Sequence, residues 1–436
     1  MRFAIVSVVV CLMLISTGLS QSIYSYKKPG LHDPQFQVDY AFFKGEKREL
    51  IRLEVYYQIY NRDLLFVKDS GGYRADYTIS VAIYDDDGIP IDNESRDKEI
   101  FVGQYSRTLA PRDFRTGQIN FDLPPSKYKV DCHLIDNNSA KIIKRDFEVK
   151  LDEYDGRNPE LSGIEFVMLI DTTIYDTVFV KNGKTVIPNV RRIFGGDTTS
   201  TLKFFFEIYP GKEKQEKILV ETRLLDRRLD NKYNDTATVF FGNERIGQIR
   251  SVPMRNLKAG EYTVEIILKG RRGRPVRNYK KSFTIHWSPE AMVINDYEMA
   301  VQQLKYIATP DEMNRLKKAS TTGEKLRAWR DFWKVRDPSP GTLENETQND
   351  YYRRIEFANQ KFSVMKREGW RTDRGMIFII YGEPDQVEDY PFEINQKAYQ
   401  VWYYYHADNK LREFLFVDEW GNNDFVLQYP YDGIRY

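Results

Sequence analysis

The chain has 436 residues, enough for about three domains at ~150 residues each. Hydrophobic residues make up 41% and charged residues 30%, which describes a globular chain and excludes a disordered one. Lys and Arg number 65 against 64 Asp and Glu, so no basic excess points to nucleic acid or to an anionic lipid surface.

Residues 1–20 read MRFAIVSVVVCLMLISTGLS. Arg2 supplies the positive start, Phe3 to Ile15 the apolar run, and Gly18-Leu19-Ser20 a small-x-small cleavage site. This pattern predicts a secretory signal peptide, followed by a linker over 21–35. Its apolar run is too short for a comfortable membrane span, and no later segment approaches ~18 uncharged apolar residues. The mature chain is therefore expected outside the cytoplasm, periplasmic or at the cell surface, with no transmembrane segment. Removing Arg2 with the signal leaves 64 basic residues against 64 acidic ones. Cys132 is then the single remaining cysteine, which rules out an intrachain disulfide.

Residues 36–152 read as strands and turns. LIRLEVYYQIYN is rich in β-branched and aromatic residues. YTISVAIYDDDG alternates and then stops at a turn, and KYKVDCHLID with KIIKRDFEVK forms a hairpin. Residues 160–287 look like a copy. Leu123, Tyr128, Val130 and Leu134 recur as Leu257, Tyr262, Val264 and Leu268, and Phe147 and Val149 recur as Phe283 and Ile285. The expected architecture is two tandem all-β sandwiches of immunoglobulin-like type.

At Ser288 the pattern changes. Ser288-Pro289-Glu290 and Thr309-Pro310-Asp311-Glu312 are helix starts, the second a capping box. Leu326, Trp329 and Trp333 space a further helix. Tyr351, Ile355, Ala358, Phe362 and Met365 form one apolar stripe that Gly369 suits as an end. MIFIIYG, QVWYYYH and REFLFVDE read as three closing strands. Residues 288–436 are thus expected to be an α+β domain, helices first and a small antiparallel sheet after.

The run Gly369-Trp370-Arg371-Thr372-Asp373-Arg374-Gly375, followed by Gly382-Glu383-Pro384-Asp385, resembles the GWxTD domain of exported bacterial proteins. FWKVRDPSPGTLENE, YYRRIEFANQKF and FVDEWGNNDF resemble other segments of that family, in the same order. The resemblance implies an envelope location and carries no established activity.

Trp370, Thr372, Asp373, Arg374, Glu383 and Asp385 are the candidate binding residues. In one reading Trp370 is a stacking platform and Asp373 and Arg374 are polar contacts in a ligand pocket. In the other the stretch is a structural corner: Trp370 packs on the preceding helix, Asp373 bonds amides of its own turn, and Arg374 pairs with an acid such as Asp385. If the chain is an enzyme, Asp373, Asp385 and Arg374 are the catalytic candidates for hydrolysis of an envelope polymer. Otherwise it is a non-catalytic envelope protein whose sandwiches are spacers or docking modules and whose last domain binds a protein or glycan.

Other clusters give weaker leads. In Trp402 to His406 the side chains alternate between faces, so either aromatic row can stack on sugars or fill a core. Asp85-Asp86-Asp87-Gly88 is a Ca²⁺ candidate or an ordinary turn. Cys132 and His133 point to opposite faces and form no dyad. The basic run Lys269, Arg271, Arg272, Arg274, Arg277, Lys280 and Lys281 is a solvated hairpin or an acidic-ligand contact. No metal set, phosphate loop or dinucleotide fingerprint is present in the sequence, and no cofactor is expected.

Overall fold

The computed structural model describes residues 36–428, apart from 48, 111–112, 172–176, 197–200, 213–215, 243–244, 271–272, 342–344, 366, 392–395 and 408–409. The signal peptide expected over 1–20 and the linker expected over 21–35 lie outside the described residues, as do Arg271 and Arg272. Contacts gather into two compact units, residues 30–352 and 353–433.

The first half of the larger unit holds strands β1 (Gln37–Lys44), β2 (Ile51–Tyr60), β3 (Val67–Asp69), β4 (Gly72–Tyr84), β5 (Pro90–Val102), β6 (Phe114–Leu123), β7 (Lys127–Asp136) and β8 (Lys141–Lys150). One sheet has the order β1-β2-β6 and the other β5-β4-β7-β8, with β3 on the first residues of β4. Alternation aims Ile79, Val81 and Ile83 of β4 and Val130, Cys132 and Leu134 of β7 at Leu53, Val55 and Ile119 of the facing sheet, in one buried core.

The second half holds β9 (Glu160–Leu161), β10 (Glu165–Asp171), β11 (Val180–Lys181), β12 (Lys184–Pro188), β13 (Ile193–Gly196), β14 (Thr201–Tyr209), β15 (Lys217–Asp226), β16 (Asn231–Phe240), β17 (Ile246–Pro253), β18 (Gly260–Lys269) and β19 (Pro275–Trp287). Its sheets run β11-β12-β10-β14-β17 and β13-β19-β18-β15-β16, antiparallel except where β13 lies parallel to β19. The string β16-β15-β18-β19 repeats β5-β4-β7-β8, and β10-β14-β17 repeats β1-β2-β6. The recurring residues share a role as well. Tyr128 donates to the Pro124 carbonyl at 2.9 Å and Tyr262 to the Lys258 carbonyl at 3.0 Å, each four residues back.

β2 is buried on both faces, which its long apolar run reflects. One face fills the core just described. On the other, Ala41, Phe43 and Tyr56 pack with Val167, Val186 and Phe205 of the second half. Charges are buried in the same seam. Lys181 pairs with Glu54 at 2.5 Å and Glu165 at 3.2 Å, and Tyr56 donates to Glu54 at 2.6 Å. Lys281 spends its three donors on Asp39 (3.0 Å), the Tyr40 carbonyl (2.6 Å) and the Ile164 carbonyl (2.8 Å), while Arg192 also binds Asp39. The basic hairpin is therefore no uniform solvated loop: Lys269, Arg277 and Lys280 pair with Glu221, Glu160 and Glu265, and Lys281 is buried.

Six α-helices follow among the described residues: α1 (Pro289–Asn295), α2 (Tyr297–Gln303), α3 (Pro310–Lys318), α4 (Thr322–Lys334), α5 (Glu346–Phe362) and α6 (Asp373–Tyr381). Ser288 caps α1, and Thr309 and Thr321 close capping boxes with Glu312 and Glu324. In the larger unit Trp329 and Trp333 of α4 pack against Tyr352, at 6.2 and 5.8 Å between ring centroids. α5 ends at Phe362, so Met365 falls beyond the stripe, with positive φ and 80% exposed.

The smaller unit closes with an antiparallel sheet in the order β20 (Gln386–Tyr390), β21 (Tyr399–Ala407), β22 (Lys410–Asp418) and β23 (Phe425–Leu427). One expectation fails here. Met376 to Tyr381, read as a strand, lies within helix α6. A short apolar run fits a buried helix as well as a buried strand, and the cap at Thr372 decides between them.

Burial raises the Glu165 carboxyl to about 7, with Lys181 opposing and Glu54 adding to the rise. A carboxyl raised in the folded state stabilises fully below its ordinary range near 4.5, and that stabilisation is lost as pH rises through about 7. The thermal midpoint is accordingly expected to fall by a few degrees from about pH 5 to about pH 7.5. Glu165→Gln should flatten that fall; an unchanged slope in melting curves would assign the effect to another group.

Candidate functional site

The corner from Glu368 to Gly382 is built from close approaches. Gly369 lies so near α5 that a Cβ there would sit 1.8 Å from the Ala358 carbonyl oxygen. Its amide donates to Ser363 Oγ, and the Trp370 amide donates to Asn359 Oδ1, both acceptors at the end of α5 or just after it. Trp370 is fully buried. Its indole N–H still reaches Glu368 at 3.0 Å, and the Arg371 guanidinium lies 4.1 Å from the ring centroid.

Thr372 starts α6. Its hydroxyl donates to the Gly369 carbonyl at 2.7 Å and accepts from the Gly375 amide at 3.1 Å. A Cβ on Gly375 would meet the Gly369 carbonyl oxygen at 1.9 Å, so the first helical turn seats on the corner only with glycine there. At the other end of α6, Gly382 has φ +83° and Arg354 donates to the Ile379 and Ile380 carbonyls. The helix end thus receives both a left-handed residue and a cation.

The remaining residues hold other strands. Asp373 accepts from the Leu427 amide of β23 at 2.9 Å; Thr372, not Asp373, bonds within the turn. Arg374, buried, donates to Gln400 at 3.3 Å and to the Asn423 carbonyl at 3.0 Å, and lies 4.2 Å from the Phe425 ring centroid. These partners differ from the expected Asp385. Asp385 accepts instead from the Tyr405 amide of β21 at 2.7 Å. One carboxylate oxygen of Glu383 is buried with no hydrogen-bond partner among the described residues.

The structure thus brings Trp370, Thr372, Asp373 and Arg374 together at the start of α6, and places Glu383 and Asp385 past its end. β21 divides its aromatics. Trp402 and Tyr404 are buried, and burial pushes the Tyr404 phenol up. Tyr405 is exposed, while Tyr390 of β20 stacks on Tyr399 at 4.3 Å between centroids. The phenols of Tyr390 and Tyr403 both donate to Glu388.

Residues 280–432 match the GWxTD domain. Three stretches of the match that are separate in sequence meet at this corner. YYRRIEFANQKF supplies Arg354 and Asn359, and FVDEWGNNDF supplies Asn423 and Asp424, the latter 3.4 Å from Arg367. No curated protein matches the chain. Two solved structures of glycosyl hydrolase family 2 members, from Bacteroides cellulosilyticus and Bacteroides cellulosilyticus DSM 14838, are each 11% identical over 53% of this chain. Their TM-scores are 0.22 and 0.19, and the match covers 26% and 28% of those chains, about a quarter of their length.

Elsewhere the clusters resolve locally. Asp85 accepts from the Asp87 and Ile89 amides, which makes 85–88 a turn with Gly88 at φ +79°. Cys132 is buried, and burial pushes its thiol up to about 12. Among the described residues no three His, Cys, Asp or Glu side chains gather to hold a metal ion.

Gly375→Ala is expected to cost about 1–3 kcal/mol through overpacking against the Gly369 carbonyl. Thr372→Val should cost about 1 kcal/mol through loss of the cap. Thr372→Ser, which keeps the hydroxyl, should stay near wild type. Urea melts of the three variants check the order.

Proposed function

We propose that this is an exported envelope protein without catalytic activity, sent out by residues 1–20. Two tandem immunoglobulin-like sandwiches, 36–152 and 160–287, act as spacers and docking modules. The domain over 288–436 binds a protein or glycan partner. The observation that carries the reading is where the aromatic side chains lie. Trp370 sits in the interior with its polar neighbours bonded to backbone, whereas Tyr390 and Tyr405 are exposed beside Tyr403 and Glu388 on one sheet. Recognition then falls to the tyrosine row, and the corner pins helix to sheet. The repeated strand order and the paired hydroxyls of Tyr128 and Tyr262 support the tandem reading, since a tyrosine bonded a few residues upstream is a feature of immunoglobulin-like corners.

A hydrolase acting through Asp373, Asp385 and Arg374 is the competing reading. A glycosidase pair stands roughly 5–9.5 Å apart. The nine residues of α6 span about 12 Å from first to last at 1.5 Å per residue, and Asp385 lies past the far end.

The test is a pull-down from the native envelope with melting curves alongside. Tyr390→Ser combined with Tyr405→Ser should keep the melting temperature and lose the partner that wild type holds. Trp370→Ala should melt early and lose every interaction at once. If the tyrosine pair keeps the partner, and a stable Asp373→Asn variant loses it or loses turnover of an envelope polymer, the corner is the site and the reading fails.

A further inference from the structure

The second β region leaves one long strand edge open. β16 ends the sheet order β13-β19-β18-β15-β16 and pairs, among the described residues, with β15 alone. The Phe241 amide donates to the Glu216 carbonyl at 2.9 Å, and Lys217 stands opposite Phe240. Hydrogen-bonded pairs alternate along an antiparallel ladder, so Tyr233, Asp235, Ala237 and Val239 turn their main chain to β15. Asn234, Thr236, Thr238 and Phe240 turn theirs outward. The register slips at Lys232, between Tyr233 and Asn231, and the run over 233–240 is regular.

The repeat supplies a comparison. β5 holds the same place in the sheet of the first region. It carries Asp92, Glu94, Arg96, Asp97, Lys98 and Glu99 along that edge. Charge on an edge opposes pairing with another chain. β16 carries only Lys232 and Asp235, and Lys232 is tied to Asp226 at 3.0 Å. Its last residue, Phe240, is 69% exposed. A long edge so lightly charged is a template for a further strand.

We propose that two copies of this chain pair through β16, antiparallel about a twofold axis at Thr236, and so join two five-stranded sheets into one. The strand is complementary to itself in that register. Thr236 faces Thr236 of the second copy and Asn234 faces Thr238, all with outward main chain, which gives about six main-chain hydrogen bonds at two per facing pair. On the inner face Tyr233, half-buried, comes opposite Val239, buried, as an aromatic and β-branched pair. Asp235 meets Ala237, so no like charges face each other. Phe240 comes against the hydrocarbon stem of Lys232. Moving the axis to Asp235 would set two carboxylates opposite one another, which is unfavourable. An extended segment of another protein would need no such symmetry in β16. The inference does not rest on the tyrosine row of the C-terminal domain or on its partner.

The experiment is sedimentation velocity of the full chain from about 1 to 100 μM, where so small an interface should show a monomer–dimer equilibrium. Thr236 is exposed, so Thr236→Glu and Thr236→Lys should keep the wild-type melting temperature. Each alone sets like charges face to face across the axis and should be monomeric where wild type is dimeric. An equimolar mixture of the two sets Glu against Lys and should restore the dimer. The proposal is overturned if wild type is monomeric throughout, whatever else pairs with the edge. It is overturned too if either variant dimerises alone as wild type does, which would place the contact on another surface, or if the mixture stays monomeric.

Discussion

Lys281 is the group on which the β architecture turns. Its ammonium has three donors: two are directed at neighbouring residues of β1, the Asp39 carboxylate and the Tyr40 carbonyl, and the third at the Ile164 carbonyl of the second β region. Burial draws its pKa down to about 8, with Asp39 holding it up against that and Arg192 adding to the fall. A buried charge of this kind adds little net stability, but removing one partner is costly because the other is left stranded. Lys281 therefore fixes which surfaces of the two regions meet more than it sets how tightly they hold. The second group, Lys181 between Glu54 and Glu165, applies the same constraint elsewhere in the seam, among Phe43, Tyr56 and Phe205.

The smaller unit solves a different problem with backbone. Three glycines, at 369, 375 and 382, each permit what another residue would block: contact with α5, seating of the first turn of α6, and a left-handed exit. Around them the side chains of Thr372, Asp373, Arg374 and Arg354 go largely to backbone partners. The corner serves the sheet: Asp373 and Arg374 position β23 and the turn before it, and Asp385 positions β21.

Much of the fold was legible. The capping box at Thr309 is local in sequence, and α3 begins at it; the box at Thr321, equally local, went unread. The strands of the two β regions announced themselves through alternation, and the recurrence of Tyr128 as Tyr262 extends to the same hydrogen bond. The error at Met376 to Tyr381 has a definite cause. Six residues of apolar chain carry no period long enough to separate helix from strand, and the deciding hydroxyl, on Thr372, precedes them. Within the candidate stretch the burial of Trp370 against the preceding helix was legible, but the partners of Asp373 and Arg374 were not, because they are Leu427, Gln400 and Asn423, dozens of residues away.

By itself the sequence determined the elements that short-range chemistry dictates: caps, turns, hairpins, a repeated strand pattern and a recognisable C-terminal motif. It also set the near-balance of charge. Only the tertiary structure decided where the charges went. Lys181, Lys281, Glu54 and Glu165 look like ordinary polar positions in alternating strands, and nothing local distinguishes them from solvated ones. They are buried because a second sheet packs against the face that alternation alone would leave to water, and which face that sheet covers is a matter of contacts more than a hundred residues apart.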